Sequence, residues 1–348
     1  MGHLPMELVA ALVGLSGGLV LGLAARLGDF CTLGALESAA YGKDQRRLRL
    51  WGVVLAVAIL GAFGAEAMGW ADLTATFYHT LAWNPLGSIV GGLIFGYGMA
   101  LAGNCGFGAL VRFGGGDLRA LVVVVVMGIF AFATLSGPLA ALRVMLFPQA
   151  EAAAPQGIAH WLGGRSGLPP FVFALIAAAG FLAWALAYPA LRADRRRLAW
   201  GVAAGLAVVW CLIGTTLAYR ESFGAVGVEA PSFTAPLGRT ILWFMTSSAG
   251  GISFSVGLVA GVLGGAFTGS ALRGLFRWEA CEDPRELGRQ VMGAALMGIG
   301  GTVALGCSIG QGVSAMSVLA FSAPVTLAAI VAGGLIGLRQ LITGFQPD

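Results

Sequence analysis

Charge is what this chain has least of. Charged residues make up 10% of the sequence and hydrophobic residues 58%, with a mean hydropathy of +0.87. A soluble globular chain carries about 25% charged residues, so a soluble fold is excluded and an integral membrane protein is expected. Histidine is nearly absent: His3, His79 and His160 all lie outside the long apolar runs. No CxxC pair and no Met-rich run accompanies them, which argues against a resident metal although soft thiolates suit Cu(I) and Zn. No GxxxxGK[ST] motif is present, which excludes a phosphate-binding loop of that kind. The first apolar stretch has no basic region before it, so no cleavable signal peptide is expected. The five cysteines do not make a disulfide framework. A net charge of +4 and a pI near 9.0 do not point to nucleic acid, because the basic residues sit in short runs between apolar segments. Such runs set topology and contact anionic headgroups.

A hydrocarbon core of about 30 Å takes roughly 20 apolar residues to cross. Nine segments are expected to do so: Glu7–Arg26, Leu50–Met68, Leu86–Gly103, Leu118–Ser136, Phe171–Tyr188, Ala199–Ala218, Gly250–Leu272, Val291–Gly306 and Pro324–Leu341. With the N-terminus outside, 15 of the 20 Lys and Arg residues fall on the cytoplasmic side and four on the outer side. That bias predicts N-outside, C-inside. The proline-bearing connection Gly137–Pro170 divides a single membrane domain, 1–348, into approximate halves 1–150 and 165–348, and an interfacial helix is expected around Leu139–Leu146. The tryptophans gather near span ends, as an interfacial belt does.

What the chain has in quantity is glycine, 56 residues of it, and among these a pattern recurs. The spacing Gly-x8-Cys-x2-Gly occurs as Gly22–Cys31–Gly34, as Gly96–Cys105–Gly108 within GYGMALAGNCGFG, and as Gly298–Cys307–Gly310. A degenerate fourth copy is read at Gly257–Ala266–Gly269. On the predicted topology the Cys105 and Cys307 helices run in opposite directions, as an inverted repeat requires. Each cysteine is followed by a short segment of small residues, too apolar for a loop and too short to span. Backbone that leaves helix at membrane depth must be buried in protein or line a wet cavity. A helix that breaks at glycine and restarts as a re-entrant half-helix meets that demand. It sets free N–H groups and about half a positive charge beside the thiol, an anion site with no cationic side chain. Thr32 and Ser308, each directly after its cysteine, are candidates to cap these starts.

The plainer alternative is that the glycines are packing surfaces and the cysteines small buried hydrophobes. Packing asks for small residues and does not ask for sulfur, so three copies in one register favour the site. Cys211, in VVWCLIG, takes the packing reading, and Cys281, in WEACEDPRE, reads as a cytoplasmic-loop thiol. Asn104 either orients the Cys105 thiol or donates an amide N–H, with helix-end packing an equal alternative. Gln311, just past Gly310, is placed facing the path. A Glu37–Arg112 ion pair is expected, Arg26 reaches headgroups or Asp29, and Glu66 is interfacial. Candidate substrate-binding residues are therefore Cys31, Cys105, Cys307, Asn104, Gly34, Gly108, Gly310 and Gln311. A soft-metal transporter and a membrane sulfurtransferase working through a cysteine persulfide remain open. The second would need an activating base, which the spans do not offer.

At these residues the chain resembles the YeeE/YedE-type membrane proteins that import thiosulfate. The likeness covers nearly the whole chain in length, apparent spans and three single cysteines in broken-helix settings. It implies that Cys31, Cys105 and Cys307 line a central path and pass thiosulfate along by transient S–H hydrogen bonds, from periplasm to cytoplasm across the bacterial inner membrane. It also implies delivery to a small cytoplasmic sulfur carrier resembling TusA, with no such carrier domain expected after Leu341. No enzymatic activity and no cofactor are implied. Relatives of the family handle other sulfur or selenium compounds, so the resemblance leaves the particular compound open.

Overall fold

The computed structural model describes residues 5–248, 250–280 and 283–344, and the Cys281 and His3 expectations lie outside them. Among the described residues the chain is helical throughout, with only isolated β-bridges between connections. The first part comprises α1 (Met6–Gly28), α2 (Thr32–Ala40), α3 (Arg46–Ala67), α4 (Phe77–Thr80), α5 (Pro85–Ala102), α6 (Gly106–Gly114) and α7 (Leu118–Leu135). A connecting region follows, with α8 (Ala140–Leu146), α9 (Ile158–Ser166), α10 (Pro170–Leu186) and α11 (Pro189–Ala193). The last part holds α12 (Arg195–Glu221), α13 (Ala235–Thr246), α14 (Phe254–Leu272), α15 (Pro284–Val303), a π-helical turn at Gly310–Ala315, and α16 (Ser322–Thr343). Seven segments are long and apolar enough to cross a membrane, and α10 adds a shorter apolar helix of 17 residues. Of the nine expected spans, α15 alone fits neither description, because its first turns carry Arg285, Glu286 and Arg289.

The order long helix, half-helix, long helix, long helix, half-helix, long helix occurs twice. It runs α1, α2, α3, α5, α6, α7 and again α12, α13, α14, α15, the π-helical turn, α16. Packing obeys the same correspondence: α1 lies on α14 as α12 lies on α3, and α5 on α16 as α15 on α7. Counterparts also pair with each other, α1 with α12 and α5 with α15. These counterparts run antiparallel, since Gly91 abuts Gly300 while Gly98 abuts Gly293. Likewise Arg197, near the start of α12, reaches Asp29 just past the end of α1. The two units are inverted copies.

Glycine sets how closely these helices approach. On α1, Gly14, Gly18 and Gly22 abut the α14 backbone at Phe254, Leu258 and Val262, while Gly257, Gly261 and Gly265 answer against Ala11, Leu15 and Leu19. Lipid tails are as apolar as leucine, so such seams hold by close van der Waals packing of small residues. Ala266 belongs to this seam, fully buried in the unbroken α14 and facing Gly22 and Gly114. The degenerate copy at Gly257–Ala266–Gly269 is thus a packing stripe with no helix break. Cys211 is buried against Gly17 in the α1–α12 contact.

The connections are pinned by polar contacts. His160 Nε2 lies 3.0 Å from Glu66 Oε1, and His79 Nε2 3.0 Å from the Val318 carbonyl. Helix α8 leaves Leu142, Val144, Met145 and Leu146 exposed, which suits a segment lying at the membrane interface. Asp29 receives Arg197 at 2.9 Å and Arg47 at 3.7 Å, and Arg26 donates to Ser270 Oγ at 2.6 Å instead of pairing with it. Glu37 is exposed and makes no ion pair with Arg112 among the described residues, so that expectation is corrected.

Candidate functional site

Each of the three cysteines begins a helix restart, and each break is built the same way. Two residues before the cysteine the backbone turns left-handed: Asp29 at φ 57°, Gly103 at 72° and Leu305 at 59°. The cysteine follows at the start of the next helical segment, extended at Cys31 (φ −149°, ψ 137°) and Cys105 (φ −88°, ψ 170°). At two of the three, Cys105 and Cys307, sulfur then serves as a side-chain cap, while Cys31 makes no such bond. The Gly108 N–H donates to Cys105 Sγ at 3.4 Å and the Gly310 N–H to Cys307 Sγ at 3.3 Å. The two residues between cysteine and glycine therefore set the first helical turn, where orphan N–H groups need acceptors.

The three breaks meet inside the protein. The sulfurs of Cys31 and Cys105 both border the space above Gly108, 3.5 and 3.7 Å from where a Cβ on that glycine would lie. Cys105 Sγ donates to Thr32 Oγ1 at 3.9 Å, and Thr32 Oγ1 donates to Ser308 Oγ at 2.9 Å. Ser308 follows Cys307 directly. Thr32 and Ser308, expected to cap their own half-helices, instead bond to one another across the inverted repeat. Cys105 and Cys307 are almost fully buried, while Cys31 is partly open, and the Arg47 guanidinium lies over the neighbouring Gly34.

Around Cys307 the structure adds residues the sequence did not flag. The Phe233 N–H donates to Cys307 Sγ at 3.2 Å, and Ser232 Oγ lies 3.9 Å from the same sulfur. Tyr78 donates to the Gly310 carbonyl at 2.9 Å, and Ser314 to the Pro231 carbonyl at 2.6 Å. Phe30, Phe107, Phe233 and Trp51 form an aromatic wall, with ring centroids 5.0 Å apart for Phe107–Phe233 and for Phe30–Trp51. Their only sequence signal is adjacency: Phe30 precedes Cys31, and Phe107 precedes Gly108.

Asn104 is buried beside Cys105, and its Oδ1 has no partner. Gln311 is fully buried with its amide engaged elsewhere. Its Nε2 donates to the Ala304 and Leu305 carbonyls at 2.9 and 3.2 Å, and Ser322 donates to its Oε1 at 3.1 Å. It closes the carbonyl end of α15 at the break. A cavity of about 390 Å³ opens on the far side of Cys307 from the basic end, lined in part by Ser232, Thr234, Arg239, Thr302 and Gly306. Cavity, Cys307, the Ser308–Thr32 pair, Cys105, Cys31 and the arginines around Asp29 thus follow one another through the molecule.

An inverted-repeat membrane protein with broken helices meeting at its centre is a transport architecture. Residues 27–336 match the profile of the family described as sulphur transport, and the chain belongs to that family, the YeeE/YedE group. It is similar to a protein named thiosulfate transporter TsuA from Spirochaeta thermophila, 27% identical over 322 residues, covering 89% of this chain and 92% of that one. It is also similar to a protein of the same name from Escherichia coli, 26% identical over 352 residues, covering 96% and 92%.

Proposed function

We propose that this protein imports thiosulfate across the bacterial inner membrane, from the periplasm to the cytoplasm, with its N-terminus outside and its C-terminus inside. The reading is carried by one observation: three helix starts, each at a cysteine and drawn from both halves of the repeat, converge between a cavity and an arginine-rich end. The ion meets Cys307 first, then Cys105, then Cys31. Gly108 leaves room beside the Cys31 and Cys105 sulfurs, Gly310 leaves room beside Ser232 next to Cys307, Gly34 lies under the Arg47 guanidinium, Asn104 flanks the middle thiol, and Gln311 holds the break at Cys307 in shape.

Stripping water from a divalent anion costs several kcal/mol per charge, and a hydrogen bond to a charged group returns about 1.5–3 kcal/mol. Several donors must therefore act at each stage. A thiol sulfur that accepts a backbone N–H is polarised toward giving its own S–H to an anion. Being neutral, it attracts the ion without trapping it as a fixed cation would. Transfer between adjoining thiols then needs side-chain rotation and no large rearrangement. The arginines near Asp29 receive the ion at the cytoplasmic end, where a small TusA-like sulfur carrier collects it.

Radiolabelled thiosulfate uptake into liposomes containing only this protein, competed with sulfate and selenate, tests the reading. Thiosulfate accumulates and labelled sulfate does not. Equal accumulation of sulfate would remove the role given to sulfur.

A further inference from the structure

Thr32 and Ser308 each follow one of the three cysteines, and Thr32 Oγ1 donates to Ser308 Oγ at 2.9 Å. Both side chains are buried, 4% and 0% exposed. Thr32 Oγ1 in turn accepts from Cys105 Sγ at 3.9 Å, so the pair bridges the break at Cys105 and the break at Cys307. The inverted repeat supplies a comparison for this contact. Helix α13 is the counterpart of α2, and the π-helical turn that of α6, so Thr32 corresponds to Ala235 and Ser308 to Gly106. Neither counterpart carries a hydroxyl. At that junction a Cβ on Gly106 would meet Met127 Sδ at 2.6 Å and the Phe233 carbonyl at 3.3 Å. The second copy therefore closes by tight packing, and the fold does not demand a hydrogen bond at this place. Nor do the two halves need it to stay together, since α1 lies along α12 and α5 along α15.

A buried hydroxyl without a partner is destabilising. Two hydroxyls that bond each other avoid that penalty while nothing lies between them. Each O–H also rotates to suit its surroundings, so either can turn to a third group. We propose that Thr32 and Ser308 form an exchangeable latch between Cys105 and Cys307. Paired with each other at rest, they part to donate both protons to the oxygens of a small oxyanion passing between the two thiols. The inference deepens the import reading above and rests on it. A hydrogen bond to a charged acceptor is stronger than one between neutral hydroxyls, so the ion displaces the bond within the pair. Thiols are weak donors. The hydroxyls supply stronger ones at the step where the ion crosses from one half of the repeat to the other. Their bond re-forms behind the ion and closes the way again.

The test compares single and paired removal of the hydroxyls in the full-length protein. Thr32→Val and Ser308→Ala each strand the partner hydroxyl and should lower the melting temperature of the purified protein by about 2–4 °C. Thr32→Val/Ser308→Ala removes both groups, and its melting temperature should return toward wild type. In liposomes all three variants should carry thiosulfate about tenfold more slowly, as loss of a hydrogen bond to a charged group predicts. Thr32→Ser keeps the hydroxyl and should outpace Thr32→Val severalfold. A bond that served structure alone would give a double variant in which stability and transport recover together, and that result would overturn the latch. Wild-type protein that carries no thiosulfate would instead sink the import reading, and binding would then judge the latch. Thiosulfate should raise the melting temperature of wild type more than that of the double variant; equal shifts would overturn the latch by themselves.

Discussion

The two glycines of the repeated Gly-x8-Cys-x2-Gly pattern lie within one short stretch and answer to different neighbours. The first of each pair sits where another helix crosses: Gly22 against α14 at Val262, Gly96 against α16 at Ile330, and Gly298 against α7 at Met127. The second faces side chains at the helix break: Arg47 at Gly34, the two sulfurs at Gly108, and Ser232 and Tyr78 at Gly310. A Cβ on Gly108 would lie 3.5 Å from Cys31 Sγ and 3.7 Å from Cys105 Sγ, and one on Gly310 would lie 2.6 Å from Ser232 Oγ. One glycine lets the bundle close and the other leaves room at the thiol. The same residue type thus serves helix packing at one end of the pattern and, on the proposed import reading, passage at the other.

Substitutions at the two kinds of glycine should separate folding from transport. Gly96→Val has the largest effect, because its side chain would run into the Ile330 carbonyl, which is backbone and cannot step aside. The loss should exceed the top of the usual overpacking range, about 3 kcal/mol, and appear as absence of a monodisperse peak on size exclusion. Gly310→Val is expected to remain folded, since it meets the side chains of Ser232 and Tyr78. Its thiosulfate uptake in liposomes should fall more than about tenfold, a loss of about 1.4 kcal/mol. Gly108→Ala sharpens the contrast further. Its methyl fits at ordinary contact distance, and replacing a helical glycine stabilises by about 0.5–1 kcal/mol. The melting temperature should hold or rise while uptake drops severalfold; equal uptake would deny that the space above Gly108 is a passage. Gly34→Ala should change least, because it meets only the mobile end of Arg47. Uptake and stability should stay near wild type, within about 0.5 kcal/mol.

Much of this arrangement was legible in the sequence. Long apolar runs separated by basic turns predicted the long helices, because nothing else in a membrane satisfies the backbone. The small-residue segments after Cys31, Cys105 and Cys307, too apolar for loops and too short to span, predicted helix restarts. The left-handed residues were hidden, because only Gly103 among them is glycine, while Asp29 and Leu305 are held there by the surrounding fold. The fourth half-helix was also hidden. It carries neither cysteine nor the spacing, so the pattern was sought at Ala266, whose glycines are alike only because they pack. Gln311 illustrates a further limit: a polar residue beside a motif can serve the backbone instead of the path, and only its partners reveal which. The hydroxyl link from Thr32 to Ser308 spans 276 positions and has no local signature.

Initial uptake rates of Cys105→Ala and Cys307→Ala, each purified folded and placed in liposomes beside wild type, test the line of thiols most directly. Near-complete loss of thiosulfate uptake in both, with Cys31→Ala equal or milder, is the predicted result. Wild-type rates in all three would show that the ion does not travel by way of sulfur.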